Sequence, residues 1–224
     1  MPLAGKGMLL TSMDIDPADE AEFNRWYDRE HLEERVAIDG FLEARRYVAH
    51  GAQPKYLCLY STKTIDVLDS AAYRARLANP TDGSRKNMAR FKNMIRAVAR
   101  ITISRGQGRG SALGIVRLRP QTGSEDALRG KLAAKLDPVD LDGIISMHLI
   151  ESDRALSGPT PEIPAANAGA GDWFVLIDAT DVTAAAATIA ARFAGAAAFE
   201  PAMPISAGIY TLMWNLERAD IPSV

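Results

Sequence analysis

The residues best suited to chemistry lie in one short run, Phe23-Asn24-Arg25-Trp26-Tyr27-Asp28-Arg29-Glu30-His31. Read as a helix at about 100° per residue, Phe23, Trp26, Tyr27, Glu30 and His31 fall within a sector of roughly 140°. That face sets a phenol, a carboxylate and an imidazole into an apolar wall. A neutral imidazole can take or give a proton near neutral pH, which suits enolisation or lactone isomerisation. A phenol one turn away can hydrogen-bond the substrate oxygen that gains charge. His31 and Tyr27 are therefore the candidate catalytic pair, with Trp26 and Phe23 as candidate substrate contacts. The same spacing also fits a half-buried helix whose histidine is satisfied by a backbone carbonyl.

Further candidates lie on the segment after Asp39-Gly40. Arg45 and Arg46 alternate along a strand, so one of them points to the cavity face. An arginine there would bind a carboxylate or enolate oxygen. Arg45, with Tyr47 on the same face, is taken as substrate-binding. Asp28 is expected to orient a neighbouring arginine, and Glu30 either positions His31 or meets solvent. His50 and His148 read as structural. Three scattered histidines without H-x-H or H-x-x-x-H spacing define no metal site, and no cofactor is expected. The glycines of residues 105–110 precede a strand, not a helix, so they do not form a phosphate loop.

The elements that must position these residues come in a repeated order. Strands are predicted over 7–14, 41–50, 56–62 and 99–104. A helix starts at Asp16 or Asp19 and runs to about Val36; others span 66–77 and 84–98, the last with Met88, Phe91, Met94 and Ile95 at helical spacing. After a linker-like stretch at 105–110 the pattern recurs. Strands are expected at 112–118, 144–151, 173–179 and 205–216, with helices at 124–136, capped by Ser124, and at 183–193. Residues 157–171, rich in Pro, Gly and Ala, read as a long loop. Asp39-Gly40-Phe41 and Asp142-Gly143-Ile144 anchor the two copies, which sets Arg45 opposite His148. The expectation is an α+β protein of two ferredoxin-like β-α-β-β-α-β units, residues 1–106 and 107–224. Their sheets pack together to close an α+β barrel within one chain. The second unit lacks the Trp-Tyr-Asp-x-x-His pattern and mainly closes the barrel.

Composition narrows the partners. The 224 residues are 47% hydrophobic and 24% charged, with a formal net charge of -2, so nothing points to nucleic acid or an anionic membrane. Cys58 is the single cysteine, which rules out an intrachain disulfide. No apolar run reaches the roughly 18 residues of a membrane span, and no signal-peptide pattern opens the chain. A cytoplasmic protein with a small-molecule ligand is expected. A chain that closes its own barrel need not dimerise, though a homodimer through helices or strand edges is compatible with the pattern.

Residues 23–47, with Trp26-Tyr27-Asp28-Arg29-Glu30-His31 and the following Gly40-Phe41, resemble the dimeric α+β-barrel superfamily on its EthD-like side. Residues 68–80 and 91–100 resemble members with tandem units. Many such motifs carry proline two residues after the histidine; here Glu33 stands there, so the helix is expected to continue past His31. The resemblance implies a sheet-lined cavity and cofactor-independent general acid/base chemistry of the isomerase, cyclase or decarboxylase type on a small cyclic or aromatic carbonyl compound. A metabolite-binding protein without catalysis, a cofactor-free oxygenase and a subunit with a decayed site are the alternatives.

Overall fold

The computed structural model describes residues 3–159 and 169–222. Among them, eight strands close into one barrel. The strands are β1 (Gly7–Asp14), β2 (Phe41–Ala49), β3 (Tyr56–Thr62), β4 (Lys92–Gly106), β5 (Ala112–Pro120), β6 (Ile144–Ser152), β7 (Trp173–Ala179) and β8 (Ala202–Glu217). Around the barrel they run β1-β3-β2-β8-β5-β7-β6-β4, and every neighbouring pair is antiparallel. The first half supplies the arc β4-β1-β3-β2 and the second the arc β8-β5-β7-β6, each in ferredoxin-like order. The arcs meet at the β2–β8 and β4–β6 ladders, so no sheet edge is left unpaired. This is the expected α+β fold of tandem ferredoxin-like units.

Strand alternation divides the core into three parts. Met8, Leu10, Tyr47, Leu57, Leu59, Leu113, Phe174 and Leu176 point into the barrel. Leu9, Met13, Ala44, Tyr56, Cys58 and Tyr60 point outward beneath the first-half helices, and Val116, Leu149, Val175 and Ile177 do so in the second half. β1 and β3 are thus buried on both faces, which is why Met8-Leu9-Leu10 and Tyr56-Leu57-Cys58-Leu59-Tyr60 show no polar alternation.

Six α-helices cover the barrel: α1 (Glu20–Trp26), α2 (Leu32–Val36), α3 (Ala71–Ala78), α4 (Asp82–Met88), α5 (Glu125–Lys135) and α6 (Val182–Arg192). Several expected boundaries are corrected. The first helix is interrupted by a π turn over Tyr27–His31, where the Leu32 N–H bonds the Tyr27 carbonyl five residues back. It then continues past His31 as α2, with Glu33 inside it. The expected helix over 84–98 ends at Met88, and Lys92 already begins β4. The segment expected over 66–77 is a 3-10 turn, Ile65–Asp69, followed by α3, whose Ser70 Oγ accepts from the Tyr73 N–H. Ser124 sits at the start of α5 but its hydroxyl donates backward, to the Gln121 carbonyl, instead of capping. The loop expected at 157–171 falls in part on residues 160–168, outside the described residues. Gly40 and Gly143 both adopt positive φ, +91° and +74°. This is the backbone reason for the two Asp-Gly breaks ahead of β2 and β6. Among the described residues no helix is long and apolar enough to cross a membrane.

Candidate functional site

The site forms where the α1–α2 segment lies over β1, β3 and β4. The π turn changes which rings meet. In a regular helix, residues five apart do not face each other; here the Trp26 and His31 rings are 4.5 Å apart, and those of Tyr27 and His31 5.0 Å. Single π turns recur at functional sites. Phe23 packs edge-on against Tyr27 at 5.3 Å.

Behind these rings stands Arg46, not Arg45. Its guanidinium lies 4.5 Å from the centre of the Tyr27 ring and 5.1 Å from those of Phe23 and Tyr56, and it donates to Asp28 and Asn24. Asp28 thus orients an arginine. Glu30 does not position His31; it accepts from the Thr81 hydroxyl. The carboxylate beside the imidazole is Glu34, with Oε2 3.7 Å from His31 Nδ1, beyond hydrogen-bond distance.

A cavity of about 40 Å³ opens against this wall, lined among others by Thr11, Tyr27, His31, Arg35, Tyr60, Tyr73 and Arg96. Tyr27 and His31 face it. Phe23 and Trp26, expected to touch substrate, do not line it and pack in the core behind it. Arg45 and Tyr47 do not line it either: β2 alternation turns them into the barrel. There Arg45 bonds Glu43 at 2.9 Å and lies 3.5 Å from Asp178. His148, at the matching position of the second half, lies 3.5 Å from the same Asp178 oxygen and within 3.0 Å of the Ser104 and Ser146 hydroxyls. His50 is exposed at the end of β2. Sequence reasoning missed Arg35 and Glu34. The signal was present, since Arg35 follows His31 by four residues and shares its face.

Burial sets the protonation states. It pushes the His31 imidazole down to about 4, against the opposing pull of Glu34, so His31 is neutral near pH 7 and a weaker base than a free imidazole. Burial likewise holds the Tyr27 hydroxyl well above its ordinary range, which keeps it protonated. Tyr60 donates to the Tyr27 oxygen at 3.1 Å, and the Tyr27 and Thr11 hydroxyl oxygens lie 3.5 Å apart, so the Tyr27 O–H can turn to Thr11 or to a ligand oxygen. Burial raises the Cys58 thiol to about 11, so it is no nucleophile near neutral pH. No group of three or more His, Cys, Asp or Glu side chains among the described residues is arranged to hold a metal ion.

No protein-family model and no curated protein matches the chain. Solved structures do match over nearly its whole length. An anthrone oxidase-like protein superposes with a TM-score of 0.68 at 8% identity, covering 98% of this chain and 96% of that one. A mutant chlorite dismutase from Candidatus Nitrospira defluvii, in complex with cyanide, gives 0.54 at 9%, covering 93% and 91%. A heme-binding protein from Thermus thermophilus gives 0.53 at 10%, covering 98% and 96%. The chain therefore shares the fold of these proteins, a closed eight-stranded antiparallel barrel built from tandem ferredoxin-like units. At such identities these structures define the architecture and leave the chemistry to the site itself.

Proposed function

We propose that this chain is a cofactor-independent enzyme of the EthD-like kind, acting by general acid/base chemistry on a small cyclic or aromatic carbonyl compound. Its site would belong to the first of two units, residues 1–106, with residues 107–224 closing the barrel. The observation that carries the reading is the cavity wall itself. A neutral imidazole and a protonated phenol, their rings 5.0 Å apart, open on one space. In this mechanism His31 takes the proton from the carbon beside the carbonyl. The C–H electron pair moves into the new C=C bond as the carbonyl oxygen gains charge, and Tyr27 donates to that oxygen. Glu34 stabilises the imidazolium as it forms. Return of the proton to the same or another carbon completes an exchange or an isomerisation.

Deuterium exchange at the carbon beside the carbonyl of 2-tetralone, followed by NMR in heavy water, tests this directly. The native chain should speed exchange over buffer. His31→Ala should lose most of the acceleration, about a hundredfold or more, and Tyr27→Phe should lose less. Exchange no faster than buffer, or unaffected by His31→Ala, would overturn it. A non-catalytic metabolite-binding protein is the second reading, favoured by an adjoining cavity of about 320 Å³ whose walls include Leu68, Leu77 and Leu156 and neither His31 nor Tyr27.

A further inference from the structure

We infer that the cavity takes an organic oxyanion, a ring compound bearing a carboxylate or a comparably acidic oxygen, with that group seated on Arg35. The inference rests on the reading of this cavity as a ligand site and adds the charge of what enters it.

Arg35 lies one turn beyond His31 on the same helix face and lines the cavity. It is 6% exposed, and its Nη1 is buried without a hydrogen-bond partner. Among the described residues no carboxylate lies within ion-pair distance of it. The comparison within the chain is direct. Arg45 and Arg46 are each 1% exposed, yet Arg45 meets Glu43 and Arg46 meets Asp28. Buried guanidinium groups are ordinarily paired in this way, because an unpaired charge is costly to remove from water. What Arg35 has is the face of the Tyr73 ring, 5.9 Å away. Glu34, adjacent in sequence, is turned elsewhere: it accepts from the Ser84 hydroxyl at 3.2 Å and lies 3.7 Å from His31 and 3.8 Å from Arg76. No Asp or Glu lines the cavity. An incoming oxyanion would supply the partner that the fold withholds, and guanidinium suits a planar carboxylate by two parallel hydrogen bonds.

The ligand's body also has a place. A second cavity of about 320 Å³ shares Tyr73, Leu77 and Arg96 with the first and adds Leu68 and Leu156 as apolar walls. Its volume falls in the range that holds small organic ligands. Its Asp69 is paired with Arg74 at 2.8 Å, and Arg96 is tied to the Leu156 carbonyl. A ring seated against Leu68, Leu77 and Leu156 could reach past Tyr73 to place its acid group on Arg35.

Isothermal titration of the full chain with 2-naphthoate and with its neutral isostere 2-naphthamide, near neutral pH, tests the inference. The native chain should prefer the acid by about tenfold or more, the worth of one charge-assisted contact. Arg35→Gln should erase that preference while leaving amide affinity within about twofold, and Arg35→Lys should keep part of it. Without ligand, Arg35→Gln should melt no lower than the native chain, since no internal ion pair is lost. A lower melting temperature would show that the guanidinium has a structural task and would overturn the inference. Equal binding of acid and amide by the native chain would overturn it too, and this comparison needs no variant to fold. Binding of neither probe would instead reject the cavity as a ligand site, and the proposed function with it.

Discussion

The two halves of the barrel share a topology and differ on the helix that packs first against each sheet. In the second half Leu128 and Leu132 of α5 and Leu136 just after it, all fully inaccessible, pack with Val116, Leu149 and Trp173. In the first half the same stride of four residues is occupied by Tyr27, His31 and Arg35, and all three line a cavity. One copy uses the stride for packing and the other for polar groups held at the edge of an empty space. The π turn belongs to the second kind, inserting a residue where α5 remains regular. On the inner face of the sheets the halves converge instead, since Arg45 and His148 approach one carboxylate, Asp178.

The inner knot is where the halves depend on each other, and breaking it should have the largest effect. Asp178→Ala leaves the buried Arg45 with Glu43 as its remaining carboxylate and removes the acid beside His148. Loss of one member of a buried ion pair costs about 3–5 kcal/mol, to be read by urea denaturation. A cost near zero would mean that the arcs are held by their strand ladders and apolar core alone. Next comes Leu132→Ala, which opens a void in the filled half and should cost about 2–5 kcal/mol. If it costs little, the second half is as open as the first and the contrast between them fails.

Much of this was readable in the residues, and the misses have physical causes. The eight strands, the Asp-Gly breaks and the crossing of two units into one barrel follow from apolar runs, turn residues and repeated order. The start of β4 was hidden because Met88, Phe91, Met94 and Ile95 mimic a helical stripe. They belong in fact to the end of α4, a turn and a strand, where Met94 faces the cavity and Ile95 the barrel interior. Short apolar runs carry that ambiguity. Arg45 was preferred over Arg46 because strand alternation says that two neighbours point opposite ways but not which way each points. The contact of Trp26 with His31 depends on the π turn, which no local propensity announced. Arg35 could have been found by extending the Tyr27–His31 stride one turn further.

His31→Leu gives the first half an apolar side chain of the kind α5 buries and sharpens the comparison through pH. The imidazole titrates near 6.5 in an unfolded chain and at about 4 when folded. Well above pH 6.5 it is neutral in both states and its titration contributes nothing to stability. As pH falls from about 6.5 to 4, the unfolded chain gains a proton that the folded one refuses, so the native chain loses stability. The loss is about 1.4 kcal/mol per pH unit over that window, a few kcal/mol in all, and levels off below pH 4. His31→Leu should therefore match or exceed native stability at neutral pH and lead by a widening margin in acid. Melting curves of both chains across that range check it; parallel curves would show that His31 protonates freely in the fold.

The smallest effect is expected from Tyr27→Phe. Its ring stays, keeping the contacts with Phe23, Trp26 and the Arg46 guanidinium. Only the hydroxyl is lost, and with it the acceptor for the Tyr60 O–H and a long 3.5 Å approach to Thr11. A single neutral hydrogen bond is worth about 0.5–1.5 kcal/mol net, and the Tyr60 hydroxyl, itself beside the cavity, can turn to water there. Thermal melts should show a drop well below that of Leu132→Ala. A drop as large would make the phenol a packing strut, and the first half would then be filled in the same sense as the second. A small drop together with slower exchange of a carbonyl probe would mark the hydroxyl as a donor kept for a ligand, the role that no leucine of α5 can play.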